Sequence, residues 1–297
     1  FLKLIIPNML STQAPTTVLA QACDSHVHIF DPDRFPYAQD RSYTPGQASV
    51  TSLLAMHKAM GIARVVLVQP SIYGTDNACL FDAIAQIGQE RARGVAVVDL
   101  ASVSEDELQR LHAGGVRGVR LNLHVSGEGL LAVKQQVLAA QRIAHMPGWH
   151  LQVHASMGVH AAMLKHYQDL SFPVVLDHFA GGVMPGPEGE GYLLQLLKAM
   201  HRQALYVKLS AAYRLPGGCD AATLACQFYE AGPDKVLWGS DWPHTGGSGA
   251  KGRNPQEIEP FRDINNLSAL QQVVMALGQA DAAKRLLVDN PTRLYGF

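Results

Sequence analysis

Residues 22–30 read Ala-Cys-Asp-Ser-His-Val-His-Ile-Phe. This short apolar run carries its polar groups in the middle and reads as a strand. Its period of two sets His26 and His28 on the same side. Working outward, seven more runs rich in Val, Ile and Leu follow at 63–69, 93–99, 116–122, 150–154, 174–178, 205–210 and 236–240. Between them lie stretches of helical periodicity at 49–60, 77–89, 105–113, 130–145, 159–168, 192–201 and 221–231, with a C-terminal pair over 267–288. Such alternation is the sequence form of repeated βα units around a parallel sheet. Eight strands make a closed (β/α)8 TIM barrel the simplest α/β architecture, because closure leaves no exposed sheet edge. An open doubly wound sheet is the runner-up, but no Gly-rich phosphate fingerprint follows any strand.

Size and composition agree with a single barrel domain. The chain has 297 residues, 47% of them hydrophobic and 16% charged, and one such barrel takes about 250 residues. Residues 22–297 are assigned to the barrel and residues 1–21 to an N-terminal arm, whose apolar run at 2–6 is too short to span a membrane. A net charge of -1 without any block of Lys or Arg argues against nucleic acid or an anionic membrane, and for a small-molecule partner. Cys23, Cys79, Cys219 and Cys226 form no CxxC pair and suit a reducing, cytoplasmic setting.

Local punctuation supports the same elements. Ser104 and Glu107 form a capping box for the third helix, and Asp76 is positioned to cap the second. Gly61, Gly114 and Gly148 follow helices, where left-handed C-caps are expected. The Gly/Pro-rich stretches 180–191 and 245–254 follow strands six and eight and read as active-site loops.

Polar residues gather at the C-terminal ends of the strands, where a barrel carries its catalytic groups. Strand one offers His26 and His28, strand five His154, strand six Asp177 and His178, and strand eight the run Trp238-Gly239-Ser240-Asp241-Trp242-Pro243-His244. Two imidazoles facing one lumen can share a metal or a substrate. Four strand ends offering an imidazole or a carboxylate to one mouth point to a site.

These residues resemble the amidohydrolase superfamily, of the amidohydrolase 2 type. Asp24 to His28, Tyr43-Thr44-Pro45, Val68-Gln69-Pro70, Gly74-Thr75-Asp76-Asn77, Gly115 to Arg120, Asp177-His178-Phe179, Trp238 to His244 and Asp289-Asn290-Pro291 are similar to the 2-pyrone-4,6-dicarboxylate lactonase group. The resemblance spans residues 22–297. It implies a hydrolase of aromatic-compound catabolism that opens a carboxylate-bearing lactone, with Asp241 as the general base toward water. His26, His28 and His178 are implied to polarise the ring carbonyl, directly or through an ion. Arg120 and Arg214 correspond to grips on substrate carboxylates, which guanidinium suits through its fork of donors. Tyr43 and Ser71 correspond to hydroxyl donors, and Lys208 is expected either to face the lumen or to form an ion pair.

Two departures bear on substrate and cofactor. Lactonases of this group carry Gly-Arg-Pro after the strand-six His, whereas Phe179-Ala180-Gly181-Gly182 follows His178 here. The substrate then has one carboxylate, or another loop supplies the missing cation. The second departure is His154, which either binds substrate or completes a mononuclear set with His26, His28 and Asp241. That set suits Zn2+ or Mn2+. Asn122 and His124 end strand four without a carboxylated-lysine candidate, so one divalent metal or none is expected. A metal-dependent decarboxylase of an aromatic or muconate-like acid and a non-catalytic acid-binding barrel are the alternatives. A homo-oligomer stays open.

Overall fold

The computed structural model of the chain describes residues 21–123, 129–246 and 254–297. Among them, eight parallel strands follow in chain order around one sheet: β1 (Cys23–Val27), β2 (Arg64–Val68), β3 (Ala92–Ala96), β4 (Val116–Asn122), β5 (His150–His154), β6 (Val174–Leu176), β7 (Leu205–Ser210) and β8 (Val236–Gly239). Consecutive strands are joined by parallel ladders from β1 through β8. β8 returns to β1 through the bridge Val27↔Trp242 and the bonds Asp241 N to His26 O and His28 N to Trp242 O, both 2.9 Å. The fold is the (β/α)8 barrel that the alternation predicts.

The outer layer consists of α1 (Val50–Met60), α2 (Ala78–Ile87), α3 (Glu105–Ala113), α4 (Leu130–Ala139), α5 (Met157–Gln168), α6 (Pro187–Arg202), α7 (Ala221–Ala231) and α8 (Asn266–Leu277). Their starts are set by short polar side chains. Ser49, Ser104, Ser156, Asp220 and Asn265 each accept a bond from the N–H three residues on. Leu53, Leu80, Ile84, Leu108, Leu196, Phe228 and Leu270 are buried between helices and barrel, and each such side chain contributes about 2 kcal/mol of transfer free energy. The closing helix α9 (Asn290–Tyr295) seals the N-terminal end of the barrel. There Asn290 Nδ2 donates to Val236 O at 2.8 Å and the Tyr295 ring meets His150 edge-on at 5.3 Å.

Several local expectations need correction. β3 ends at Ala96, not at 99, and α4 at Ala139, not at 145. β6 ends at Leu176, not at 178, because His178, Phe179 and Ala180 all turn left-handed, with φ of 52°, 54° and 55°. Gly114 caps α3 at φ -78°, and the left-handed residue is Gly115, at φ 94°. Helix α6 begins at Pro187 rather than 192, since a proline in the first turn has its φ preset and Glu188 and Glu190 favour the positive helix end. Residues 1–20 of the arm, His124, and residues 247–253 of the second loop lie outside the described residues. Among the described residues no helix is long and apolar enough to cross a membrane, and all four cysteines are free.

Candidate active site

One cleft opens among the C-terminal strand ends. His28, Tyr43, Ser71, Arg120 and Asn122 line one part of it, and His154, His178, Arg214, Asp241 and Thr245 line the rest. His26 lies fully buried beside it. The structure thus gathers every residue that the sequence nominates for catalysis or substrate binding. Two of them, His178 and Asp241, sit at positive φ, 52° and 60°, just beyond their strands. Left-handed backbone at a non-glycine residue costs on the order of 1 kcal/mol and persists where the surroundings dictate it. Here it turns both side chains out of the strand path toward the cleft.

The two oxygens of Asp241 have different neighbours. Oδ2 accepts from Tyr213 OH at 2.6 Å and from Arg214 Nε at 2.9 Å. Oδ1 is buried without a hydrogen bond and faces Nε2 of His28 at 3.4 Å, of His26 at 3.6 Å and of His178 at 3.9 Å. His26 Nε2 is likewise buried without a partner. His28 Nδ1 lies 2.7 Å from Val68 O, which can only accept, so in the neutral ring the proton sits on Nδ1 and Nε2 is bare. His26 Nδ1 lies 3.3 Å from Asp177 Oδ1, which favours the same tautomer, and 3.5 Å from Lys208 Nζ, which favours the other. His178 Nδ1 is 2.8 Å from the Ser210 hydroxyl, which can rotate to donate or accept. The bare Nε2 of His28 and the unbonded Oδ1 of Asp241 therefore face each other with no proton between them. A water's hydrogens or a cation satisfies such a set.

Charge is balanced in pairs. Arg120 directs Nε and NH2 to Asp177 Oδ2, each at 3.1 Å, and Arg214 holds Asp241. Burial raises the Asp241 pKa, but Arg214, joined in acid by the imidazoles once they are protonated, outweighs it and holds the carboxyl well below its usual range. Asp177 is held low in the same way, by His26 and Arg120 against burial. Burial takes His26 well below its ordinary value against the pull of Asp177, and takes His178 down to about 4 against Asp241 and Asp177. At neutral pH the pocket thus holds ionised carboxylates and uncharged His26 and His178. Lys208 is fully buried in the lumen and donates to Ser25 O and Gln152 Oε1, both at 2.7 Å.

A divalent ion fits this donor set. Among the described residues, ligand atoms of His26, His178 and Asp241 lie within 4.8 Å of one another, and neutral imidazoles with a carboxylate are zinc and manganese donors. The trio differs from the expected tetrad of His26, His28, His154 and Asp241. His178 enters it, while His154 packs edge-on against the His178 ring, centroids 4.9 Å apart. Sequence reasoning assigned no role to Tyr213, Thr245 or the partnership of Asp177 with Arg120. Adjacency to Arg214 is the signal for Tyr213, whereas Asp177 already stands among the polar strand ends and in the Asp177-His178-Phe179 run.

A protein-family model described as Amidohydrolase matches residues 23–297. The chain is similar to a 2-pyrone-4,6-dicarboxylate hydrolase of Comamonas testosteroni, 34% identical over 93% of this chain and 90% of that protein. It is also similar to a 4-sulfomuconolactone hydrolase of Hydrogenophaga intermedia, 32% identical over 92% of this chain and 88% of that protein. A solved structure of a probable 2-pyrone-4,6-dicarboxylic acid hydrolase from Acinetobacter baumannii, with citric acid bound, superposes with a TM-score of 0.76. That pair shares 28% identity and covers 93% of this chain and 100% of that chain.

Proposed function

The chain belongs to the amidohydrolase family, and from that premise we propose that it hydrolyses a lactone bearing at least one carboxylate, with Asp241 activating the attacking water. One observation carries the reading: a buried, ionised carboxylate whose Oδ1 has no hydrogen bond and faces three imidazole nitrogens at 3.4–3.9 Å. Water held there loses its proton to Oδ1 as its oxygen bonds to the ring carbonyl carbon. The ring C–O bond then breaks, and Asp241 returns the proton to the departing oxygen, so that one water is added overall.

The ring carbonyl needs a donor for its developing negative charge. His178 suits this, because Ser210 can donate into Nδ1 and leave the proton on Nε2. Arg214 and Tyr213 fix Oδ2, so the carboxylate cannot swing its basic oxygen away from the water. Arg120 and Arg214, each paired with a buried carboxylate, line the cleft as guanidinium donors for the substrate carboxylate, and Tyr43, Ser71, Asn122 and His154 supply neutral polar groups. With the His178 proton on Nδ1 instead, a Zn2+ or Mn2+ ion at this position would be held by His26, His178 and Asp241 and would acidify water and polarise the carbonyl in place of the His178 donor.

The two related hydrolases that act on carboxylated or sulfonated lactones support the substrate class. The test is product analysis with 2-pyrone-4,6-dicarboxylate and with a monocarboxylated muconolactone. Ring opening with proton release and no CO2 is expected. CO2 release would move the protein to the decarboxylases, and tight binding without turnover to a binding barrel.

A further inference from the structure

The barrel seam runs through this site. Every other strand junction is a backbone ladder, whereas β8 meets β1 at the single bridge Val27↔Trp242 and the two backbone bonds Asp241 N to His26 O and His28 N to Trp242 O. Below that bridge, side chains stand in for the ladder. Ser25 Oγ donates to Trp238 O at 2.6 Å, and Ser240 N donates to Asp24 Oδ1 at 2.9 Å. The same Oδ1 accepts from His26 N at 3.2 Å. One carboxylate oxygen thus holds the backbone of His26 on β1 and of Ser240, the residue before Asp241. The other oxygen, Oδ2, lies 3.2 Å from Nε2 of His57 on α1. Both side chains are buried, and neither lines the cleft.

We propose that Asp24 is a positioning residue: braced by His57, its carboxylate closes the β1–β8 seam and fixes the separation between His26 Nε2 and Asp241 Oδ1. The inference rests on the reading of those two atoms as part of the reacting centre. Without Asp24, two buried N–H groups lose their acceptor, in the strands that carry the HxH pair and the base. Without His57, the carboxylate loses the donor on its second oxygen and the rotation that holds the first oxygen on both amides. The Asp241 N to His26 O bond ties the two backbones at one point; the side-chain clamp below it ties the spacing of the catalytic pair to α1.

The test is His57→Leu beside His57→Gln, with crystal structures and steady-state kinetics of each. For His57→Leu we expect the 3.6 Å separation to change by more than about 0.5 Å. Its kcat should fall about tenfold to a hundredfold, with KM changed less than about twofold. His57→Gln, which returns a donor to Asp24, should recover most of kcat. An unchanged separation, or a lower melting temperature with kcat intact, would overturn the proposal and leave Asp24 as fold support alone. Should His57→Leu fail to fold, Asp24→Asn, which keeps Oδ1 for the two amides but sets an NH2 against the His57 donor, removes the same brace and is read in the same way. The distance is measured without substrate, so a wild-type protein inactive on lactones would refute the functional reading and leave this test standing.

Discussion

Arg120 shows how much a residue's neighbours change its meaning. From sequence it is a grip for substrate carboxylate, and it does line the cleft, but its Nε and NH2 are directed at Asp177 within the protein. Asp177 in turn stands 3.3 Å from His26 Nδ1, so the guanidinium, the carboxylate and the imidazole form one buried chain. Arg120→Met leaves the Asp177 charge buried without its main cation. The expected cost is about 3 kcal/mol of stability, measured by urea denaturation, in addition to any rise in KM. A loss below about 0.5 kcal/mol would mean that Asp177 is neutralised by other means. None of this pairing was legible in the sequence, because Arg120 and Asp177 are 57 positions apart and only the fold brings β4 and β6 to a common lumen. The identities of the site residues were legible, since imidazoles and carboxylates recur at strand ends.

At the scale of elements, the strands were readable and their terminations less so. Apolar runs mark where β6 and β8 lie, but the left-handed turns at His178 and Asp241 leave no pattern in side-chain chemistry. The early start of α6 had a signal, Pro187 followed by two glutamates, that its surrounding glycines masked. The seam between β8 and β1 makes a sharper demand. A Cβ at Gly239 would stand 2.6 Å from His26 Cβ, closer than real Cβ atoms approach, and 3.0 Å from His26 N. Gly239→Ala is therefore expected to force the strands apart at the base of the site. We predict a loss of about 1–3 kcal/mol by thermal or chemical melting, together with reduced turnover. Wild-type stability and activity in this variant would mean the seam tolerates opening.

For the whole molecule, the buried histidines set how stability follows pH. Burial takes His178 to about 4, and burial with the nearby Lys208 takes His150 to about 3. In the unfolded chain both return to the ordinary 6.5. Below pH 6.5 the unfolded state then binds more protons than the folded one, so stability rises with pH through this window and is lost as pH falls from 6.5 toward 4. A melting temperature that drops steadily between pH 7 and pH 5 is expected, and a flat or rising profile would contradict the buried neutral rings. The fold class itself was legible from eight apolar runs and their spacing, because barrel closure is the simplest way to leave no edge. Hydrolysis by water is the claim on which the remaining account depends, and isotope labelling reads it most directly. A carboxylated lactone is incubated with the enzyme in 18O-labelled water, and the opened acid is weighed by mass spectrometry, beside the Asp241→Asn variant. One 18O in the new carboxyl group, at a rate cut about a thousandfold in the variant, is the predicted result. Unlabelled product, release of CO2, or undiminished turnover in Asp241→Asn would contradict it.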